Sequence, residues 1–186
     1  MTDARVLHVD IRPWADGDLR LLERLLGDPA MMTYLGGPES PAKIRERHAR
    51  YCRPSDTARV FAVVVGSERQ AVGWVGYWEK EVRGQRGWET GWSVLPEFQG
   101  QGIGARATAL VLERVRAEGR YQFIHAFPSV ENGPSNAICR KLGFTLQEEG
   151  DFEYPPGHMM RCNDWRLDLR GPGRKGPPLK AGISLR

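Results

Sequence analysis

Val94-Leu95-Pro96-Glu97-Phe98-Gln99-Gly100-Gln101-Gly102-Ile103-Gly104-Ala105 carries glycine at every second position from 100 to 104. Gly100, Gly102 and Gly104 leave the backbone unshielded where a helix begins, and the first N–H groups of a helix have no intrahelical partner. Such a place suits an anion, a pyrophosphate above all; a plain glycine turn is the alternative reading. The same letters fit the dinucleotide fingerprint G-x-G-x-x-A as Gly100, Gly102 and Ala105. That fingerprint follows a buried strand directly, early in its domain. Here Pro96-Glu97-Phe98-Gln99 intervenes, antiparallel-type strands come first, and Glu118 lies at a helix end, not at the end of a second parallel strand.

Working back from the turn, Trp88–Leu95 reads as a strand stopped by Pro96, Val72–Trp78 as another, and the β-branched run Phe61–Gly66 as a third. Their close spacing predicts an antiparallel meander. Further upstream, Val6–Ile11 alternates like a strand and Pro13 ends it. Asp16 is placed to cap a helix whose Leu19, Leu21, Leu22, Leu25 and Leu26 form one stripe, and Ser40 a polar helix to about Cys52. Working forward, a helix runs from about Gly102 to Ala117, then a strand over Phe123–Phe127. A short helix follows, with Pro134 at its start and Gly143 past its end. Closing strands fall near Phe144–Glu149 and Asn163–Leu169. The order is mixed α+β: a mostly antiparallel central sheet flanked by helices, with one strand–helix–strand crossover in the middle.

The length of 186 residues fits one domain plus a tail. We expect a domain over 1–169 and a basic, Gly/Pro-rich, disordered tail over 170–186. The net charge of +4 belongs to that tail, where Arg170, Arg174, Lys175, Lys180 and Arg186 stand without an acid, so the body is near neutral. Nucleic acid is therefore not the expected main partner. No apolar run approaches the roughly 18 residues of a membrane span, and the start lacks the pattern of a signal peptide. Three cysteines without a CxxC pair argue against a disulfide framework and a zinc site. A cytoplasmic, metal-free protein, monomer or homodimer, is the expectation.

A second signature lies downstream of the glycine turn, Asn132-Gly133-Pro134-Ser135-Asn136-Ala137-Ile138-Cys139-Arg140-Lys141-Leu142-Gly143-Phe144. By itself it describes a capped helix. Taken together, the two segments resemble the GNAT superfamily of N-acetyltransferases, with its V-x-P-x-x-[QR]-G-x-G-x-[GA] and N-x-x-S-x-x-[VI]-x-x-K-x-G-F elements. The likeness runs from about Val6 to Leu169. With Gly36-Gly37-Pro38, it is most similar to the branch containing ribosomal-protein N-terminal acetyltransferases and small-amine acetyltransferases.

The resemblance implies acetyl-CoA as co-substrate and a splayed strand pair that holds it. The backbone amides of Gln99, Gly100, Gln101, Gly102, Ile103 and Gly104 would wrap the pyrophosphate. Ser93, Val94 and Leu95 would pair with pantetheine, and the Val94 N–H would polarise the thioester carbonyl. Asn132 matches a pantetheine-binding position; Ser135 and Asn136 match positions near the phosphates and adenosine. Many relatives carry, seven residues after the motif asparagine, a tyrosine that protonates the leaving thiolate. Here Cys139 stands in that place, which leaves the general acid open between water and another group, with a covalent cysteine route as a further alternative.

The implied chemistry is attack by a neutral amine on a thioester, so a base must first take a proton from the ammonium. Glu89, at the start of the strand leading to the turn, is the first candidate, dehydrated by Trp88 and Trp92. His125, mid-strand among apolar residues, is either a second candidate or a satisfied core histidine. The acceptor pocket is expected from the Met31–Leu35 loop and the Tyr154–His158 turn. Trp74, Trp78, Trp88 and Trp92 would form its wall or belong to the core. The expected function is acetyl transfer to a primary amine, on a peptide N-terminus or a small molecule. A catalytically silent acyl-CoA-binding or sensor domain, and a ribosome- or RNA-associated protein anchored by its tail, are the alternatives.

Overall fold

The leucine stripe, the β-branched runs and the glycine turn all become regular elements in the computed structural model, which describes residues 7–153 and 157–171. The chain runs β1 (Val9–Pro13), α1 (Leu19–Leu26), α2 (Pro41–Cys52), β2 (Ala58–Val65), β3 (Gln70–Val82) and β4 (Gln85–Val94). It continues with α3 (Ile103–Glu118), β5 (Phe123–Ala126), α4 (Gly133–Lys141), β6 (Thr145–Glu153) and β7 (Met159–Asp168). The strands form one seven-stranded sheet in the order β1-β2-β3-β4-β5-β7-β6. Every neighbouring pair is antiparallel except β4 and β5, which the α3 crossover makes parallel. The expected α+β class and antiparallel meander are present.

The helices cover both faces. On one, α3 and α4 pack Val111, Leu112, Val115 and Cys139 against Phe61, Val63, Tyr77, Trp88 and Ile124. On the other, Leu22, Leu25 and Leu26 of α1 and Ile44 of α2 pack with Met32, Ala62 and Leu95. Because both faces are dry, β2 reads as an unbroken apolar run instead of an alternating one.

Helix ends follow elementary chemistry. Ser40 Oγ accepts from the Lys43 N–H at 3.3 Å, with Pro41 next, so the expected cap is correct. The cap assigned to Asp16 is not: residues 16–18 form a 3-10 turn, and Asp18 is the buried acid. Its carboxylate takes the Arg12 guanidinium at 2.7 Å and the Ala15 N–H at 2.9 Å, fixing the turn that starts α1. At the end of α4, Gly143 adopts φ 84°, the left-handed stop expected there. Strands β6 and β7 are longer than the sequence indicated, because they pair as a hairpin over charged residues with no apolar pattern. Tyr154, Pro155 and Pro156, and the tail beyond Gly171, lie outside the described residues.

Candidate active site

Strands β4 and β5 pair at only two rungs, Trp88↔Ile124 and Glu89↔His125. Beyond Glu89, β4 continues to Val94 along β3 alone. Adjacent parallel strands lie about 4.8 Å apart while hydrogen bonded; past the second rung that bonding stops and the sheet opens. The Leu95 N–H donates to Val72 O at 2.8 Å. Bonding alternates residue by residue along an antiparallel pair. Ser93 and Leu95 therefore turn their backbone groups to β3, whereas Trp92 and Val94 turn theirs to the opening. Of the three strand residues singled out, Val94 is the one whose N–H faces the gap. Its carbonyl accepts from the Gln99 side-chain amide at 2.8 Å. That same amide lies 3.4 Å from Met31 Sδ, tying the turn to the loop after α1.

At the end of β4 the glycine turn leads into α3. Gly100 and Gly102 have φ of 73° and 74°, the left-handed region that glycine enters without strain. A Cβ on either would meet nothing within 4 Å, so both line open space. No side chain caps α3, leaving the N–H groups of Ile103, Gly104 and Ala105 without an intrahelical acceptor. Gly104 differs from the other two: its Cβ would lie 3.0 Å from Ile138 Cδ1, so this glycine lets α3 and α4 approach. Gln101 donates to the Glu97 carbonyl at 3.4 Å.

The second signature forms α4. Asn132 Oδ1 accepts from the Ser135 N–H at 3.1 Å, the cap that the residue types alone indicate. Asn136 is buried and fully engaged. It donates to Ser129 O at 2.9 Å and Asn132 O at 2.8 Å, and accepts from Asn163 Nδ2 and Trp165 Nε1, both at 2.7 Å. With its amide valences used, it ties α4 to β7 and has nothing to offer a ligand. Ser135 remains half-buried at the helix start. Cys139 is wholly buried in the core under α3, and burial pushes its thiol up to about 12. It is a neutral thiol at physiological pH, which removes the basis of a covalent cysteine route.

Glu89 sits at the last rung before the opening. Its side chain is 14% exposed, with Lys80 Nζ at 3.6 Å. Burial pushes its carboxyl above the ordinary value, opposed by Lys80 and a hydrogen bond with Trp78. The tryptophan on the Glu89 face is thus Trp78, which hydrogen-bonds the carboxylate and favours its charge; Trp88 and Trp92 lie on the other face. Register explains this: Trp78 is the direct partner of Glu89, and directly opposed residues share a face. Trp74 and Trp78 rest over Gly91, whose Cβ would lie 3.3 and 3.0 Å from their rings. Trp88 is on the opposite face, edge-on to Tyr77 and Tyr121 in the core.

On the Glu89 face stands His125, the second candidate base, buried beside an acid whose place the spacing does not show. His125 Nδ1 lies 2.6 Å from Asp164 Oδ1, and Asp164 is in turn held by Arg83 at 2.5 Å. Burial raises the Asp164 carboxyl, but the His125 bond and Arg83 outweigh it and leave it below its ordinary value. Finding this pair required the β5–β7 register, which sequence spacing does not reveal.

Beside the opening, Thr33, Tyr34, Ser129, Val130, Glu131, His158, Met160 and Arg161 line a cleft of about 220 Å³. The structure thus brings the Met31–Leu35 loop and His158 to one place. Elsewhere Asp16, His48 and Cys52 place one ligand-type atom each within 4.8 Å of one another. Trp14 Nε1 donates to His48 Nδ1 at 3.1 Å, so neutral His48 carries its proton on Nε2, facing Cys52 Sγ at 3.7 Å. In that state the ring has no lone pair free for a cation.

A mostly antiparallel sheet that opens beside an uncapped glycine-led helix defines an acetyltransferase-type α+β domain. Residues 8–145 match the family model of the acetyltransferase (GNAT) domain, and the chain belongs to that family. The uncharacterized N-acetyltransferase YnaD of Bacillus subtilis is 29% identical over 112 residues, covering 59% of this chain and 61% of YnaD, less than two thirds of the relative's length. Among solved structures, a spermidine N-acetyltransferase from Vibrio cholerae, in complex with CoA and spermine, superposes with a TM-score of 0.72. It is 20% identical, over 87% of this chain and 95% of that one. A GNAT-family acetyltransferase from Bacillus anthracis gives 0.71 at 19% identity, over 87% and 95%. A Salmonella typhimurium acetyltransferase that modifies the N-terminal serine of a 50S ribosomal subunit protein gives 0.67 at 19%, over 86% and 94%. At these identities the likeness is one of fold. Among the described residues no helix is long and apolar enough to cross a membrane.

Proposed function

We propose that this protein moves acetyl from acetyl-CoA to a primary amine by direct attack. The observation that carries the reading is the loss of β4–β5 pairing after Glu89, with the Val94 N–H turned to the opening and the bare α3 N-terminus at its end. A pantetheine arm in the opening would replace the missing strand partner. The amides of Gln99 to Gly104 would take the pyrophosphate, aided by the partial positive charge of the helix start. Asn132 and Ser135 would contact the cofactor from α4, and Asn136 would hold that helix in place.

In the chemical step the acceptor ammonium gives a proton to Glu89, directly or through one water. The free amine attacks the thioester carbonyl, whose developing oxyanion accepts from the Val94 N–H. The tetrahedral intermediate expels the CoA thiolate, and the proton that the attacking nitrogen still has to lose reaches that thiolate through water. The raised carboxyl makes Glu89 a stronger base than an exposed glutamate. The cleft beside Thr33, Tyr34 and His158 is the natural entry for the amine, and the family neighbours supply two acceptor types to try: a polyamine and a peptide N-terminus.

One observation favours a second reading. The neutral, buried Cys139 leaves α4 without an acid for the leaving thiolate, as in a silent acyl-CoA-binding domain. A thiol-release assay with acetyl-CoA and three acceptor classes (polyamines, peptides with free N-termini, aminoglycosides) separates them. Release above the acceptor-free rate with at least one class is expected. Tight acetyl-CoA binding without release in all three favours the silent domain.

A further inference from the structure

The geometry points to His125, oriented by Asp164 and Arg83, as the second proton-accepting group of this site, standing behind Glu89 where β4 and β5 part. The inference rests on the acetyl-transfer reading for its purpose, but not for its chemistry. Glu89 and His125 are direct partners across the last parallel rung, so their side chains share a face. Asp164 Oδ1 lies 2.6 Å from Nδ1 of His125. An ionised carboxylate there requires the proton on Nδ1, which leaves the Nε2 lone pair free. Asp164 keeps its charge because Arg83 reaches it at 2.5 Å.

Arg83 is built for this contact. With Gly84 it forms the two-residue β3–β4 turn, and both have positive φ, 50° and 75°. For a non-glycine residue that conformation is strained, and it turns the guanidinium to Asp164 and Glu148. The imidazole also lies stacked on Phe127, with 8° between the ring planes, and Phe127 stacks on Phe152. The ring is thus fixed in both orientation and tautomer. The charged and titratable groups around it are Glu89 on β4, Lys80 on β3, and Cys162, Asp164 and Arg166 on β7. Arg83 at the turn and Glu148 on β6 complete the set. Lys80 is drawn to Glu89 and the Phe152 ring, and Arg166 to the Phe123 ring.

The proton then has a path. The ammonium N–H bond breaks as a Glu89 O–H bond forms. That O–H passes its proton to Nε2, directly or through one water, giving an imidazolium whose Nδ1–H stays bonded to the Asp164 carboxylate. Water takes the proton after product leaves, and no net charge or atom is gained. Under this arrangement Glu89 returns to carboxylate within each turnover despite its dehydrated place. His125 acts through Glu89 and is a positioning and relay residue.

The test is ¹⁵N NMR of histidine-labelled full-length protein, assigned with His125→Gln, in wild type, Glu89→Gln and Asp164→Asn. We expect neutral His125 to carry its proton on Nδ1. Glu89→Gln should move the Nε2 resonance, and Asp164→Asn should mix the two neutral tautomers. With an active acceptor, His125→Gln should reduce kcat by about tenfold and flatten the pH profile, with KM for acetyl-CoA unchanged. An Nε2–H tautomer, or an Nε2 resonance indifferent to Glu89→Gln in folded protein, overturns the proposal. The NMR arms need no acceptor, so they fail or succeed separately from acetyl transfer.

Discussion

Two helices begin at the opening in the sheet, and they begin differently. The start of α3 is bare: Gly100 and Gly102 hold left-handed φ over open space and no side chain caps the helix. The start of α4 is closed: Asn132 caps Ser135, and Asn136 spends all its bonds inside the protein. A helix start that satisfies itself has little to offer an anion, whereas one left unsatisfied is stable when something else supplies the acceptor. Under the proposed function phosphate binding belongs to α3, and α4 is a support that packs on it through Ile138 while Asn136 ties it to β7.

The comparison breaks most readily at Gly102. Gly102→Val should reduce acetyl-CoA affinity by at least roughly 100-fold, since its side chain would fill the space that a pyrophosphate needs and strain a residue at φ 74°. Far-UV circular dichroism should stay near wild type, and unchanged affinity in a folded variant would move the cofactor away from α3.

Between the two helix starts lies Glu89. Glu89→Gln should lower kcat by roughly 10²–10³ with acetyl-CoA affinity preserved, and the deficit should shrink at high pH where free amine is abundant. The same substitution should stabilise the fold near neutral pH. The folded state holds the Glu89 proton more tightly than the unfolded chain does. The associated stability is complete below the ordinary carboxylate range and is lost as pH rises through the raised value. Melting curves should therefore show Glu89→Gln above wild type, by about 2–4 °C for each kcal/mol recovered, with the gap widening from acid to neutral pH.

Smaller effects belong to α4. Asn132→Ala should cost about 1 kcal/mol of stability, the usual value of a cap, and less than about tenfold in acetyl-CoA affinity by calorimetry. A larger loss of affinity than of stability would show α4 to be a second binding start, not a support. Cys139→Ala should cost less than about tenfold in kcat, because water can protonate the thiolate; a dead, folded Cys139→Ala would bring back a cysteine-dependent route.

Much of this was legible in the residues. The glycine turn, the Ser40 cap, the leucine stripe and the apolar runs each depend on neighbours within a few positions, so their spacing carries their structure. Glu89 and Val94 fall on the one strand that leads into the turn, as their spacing indicates, while the roles proposed for them come from the resemblance. What depended on register was missed. Trp78, not Trp88, stands beside Glu89 and hydrogen-bonds it, because face assignment across β3 and β4 needs the pairing Trp78↔Glu89. Asp164, Arg83 and His125 come from three places in the chain and meet only through the β5–β7 pairing and a turn. Asn136 looked like a ligand-facing polar residue, since sequence does not show that Asn163 and Trp165 would claim its oxygen.

The central claim is that the opening beside α3 is an acetyl-CoA site, and isothermal calorimetry of the wild-type chain with acetyl-CoA, without added metal, tests it most directly. The account predicts one site per chain. At a ligand concentration one hundred times Kd, binding should add about 2.7 kcal/mol of stability by mass action. No heat and no rise in Tm at millimolar acetyl-CoA would contradict it.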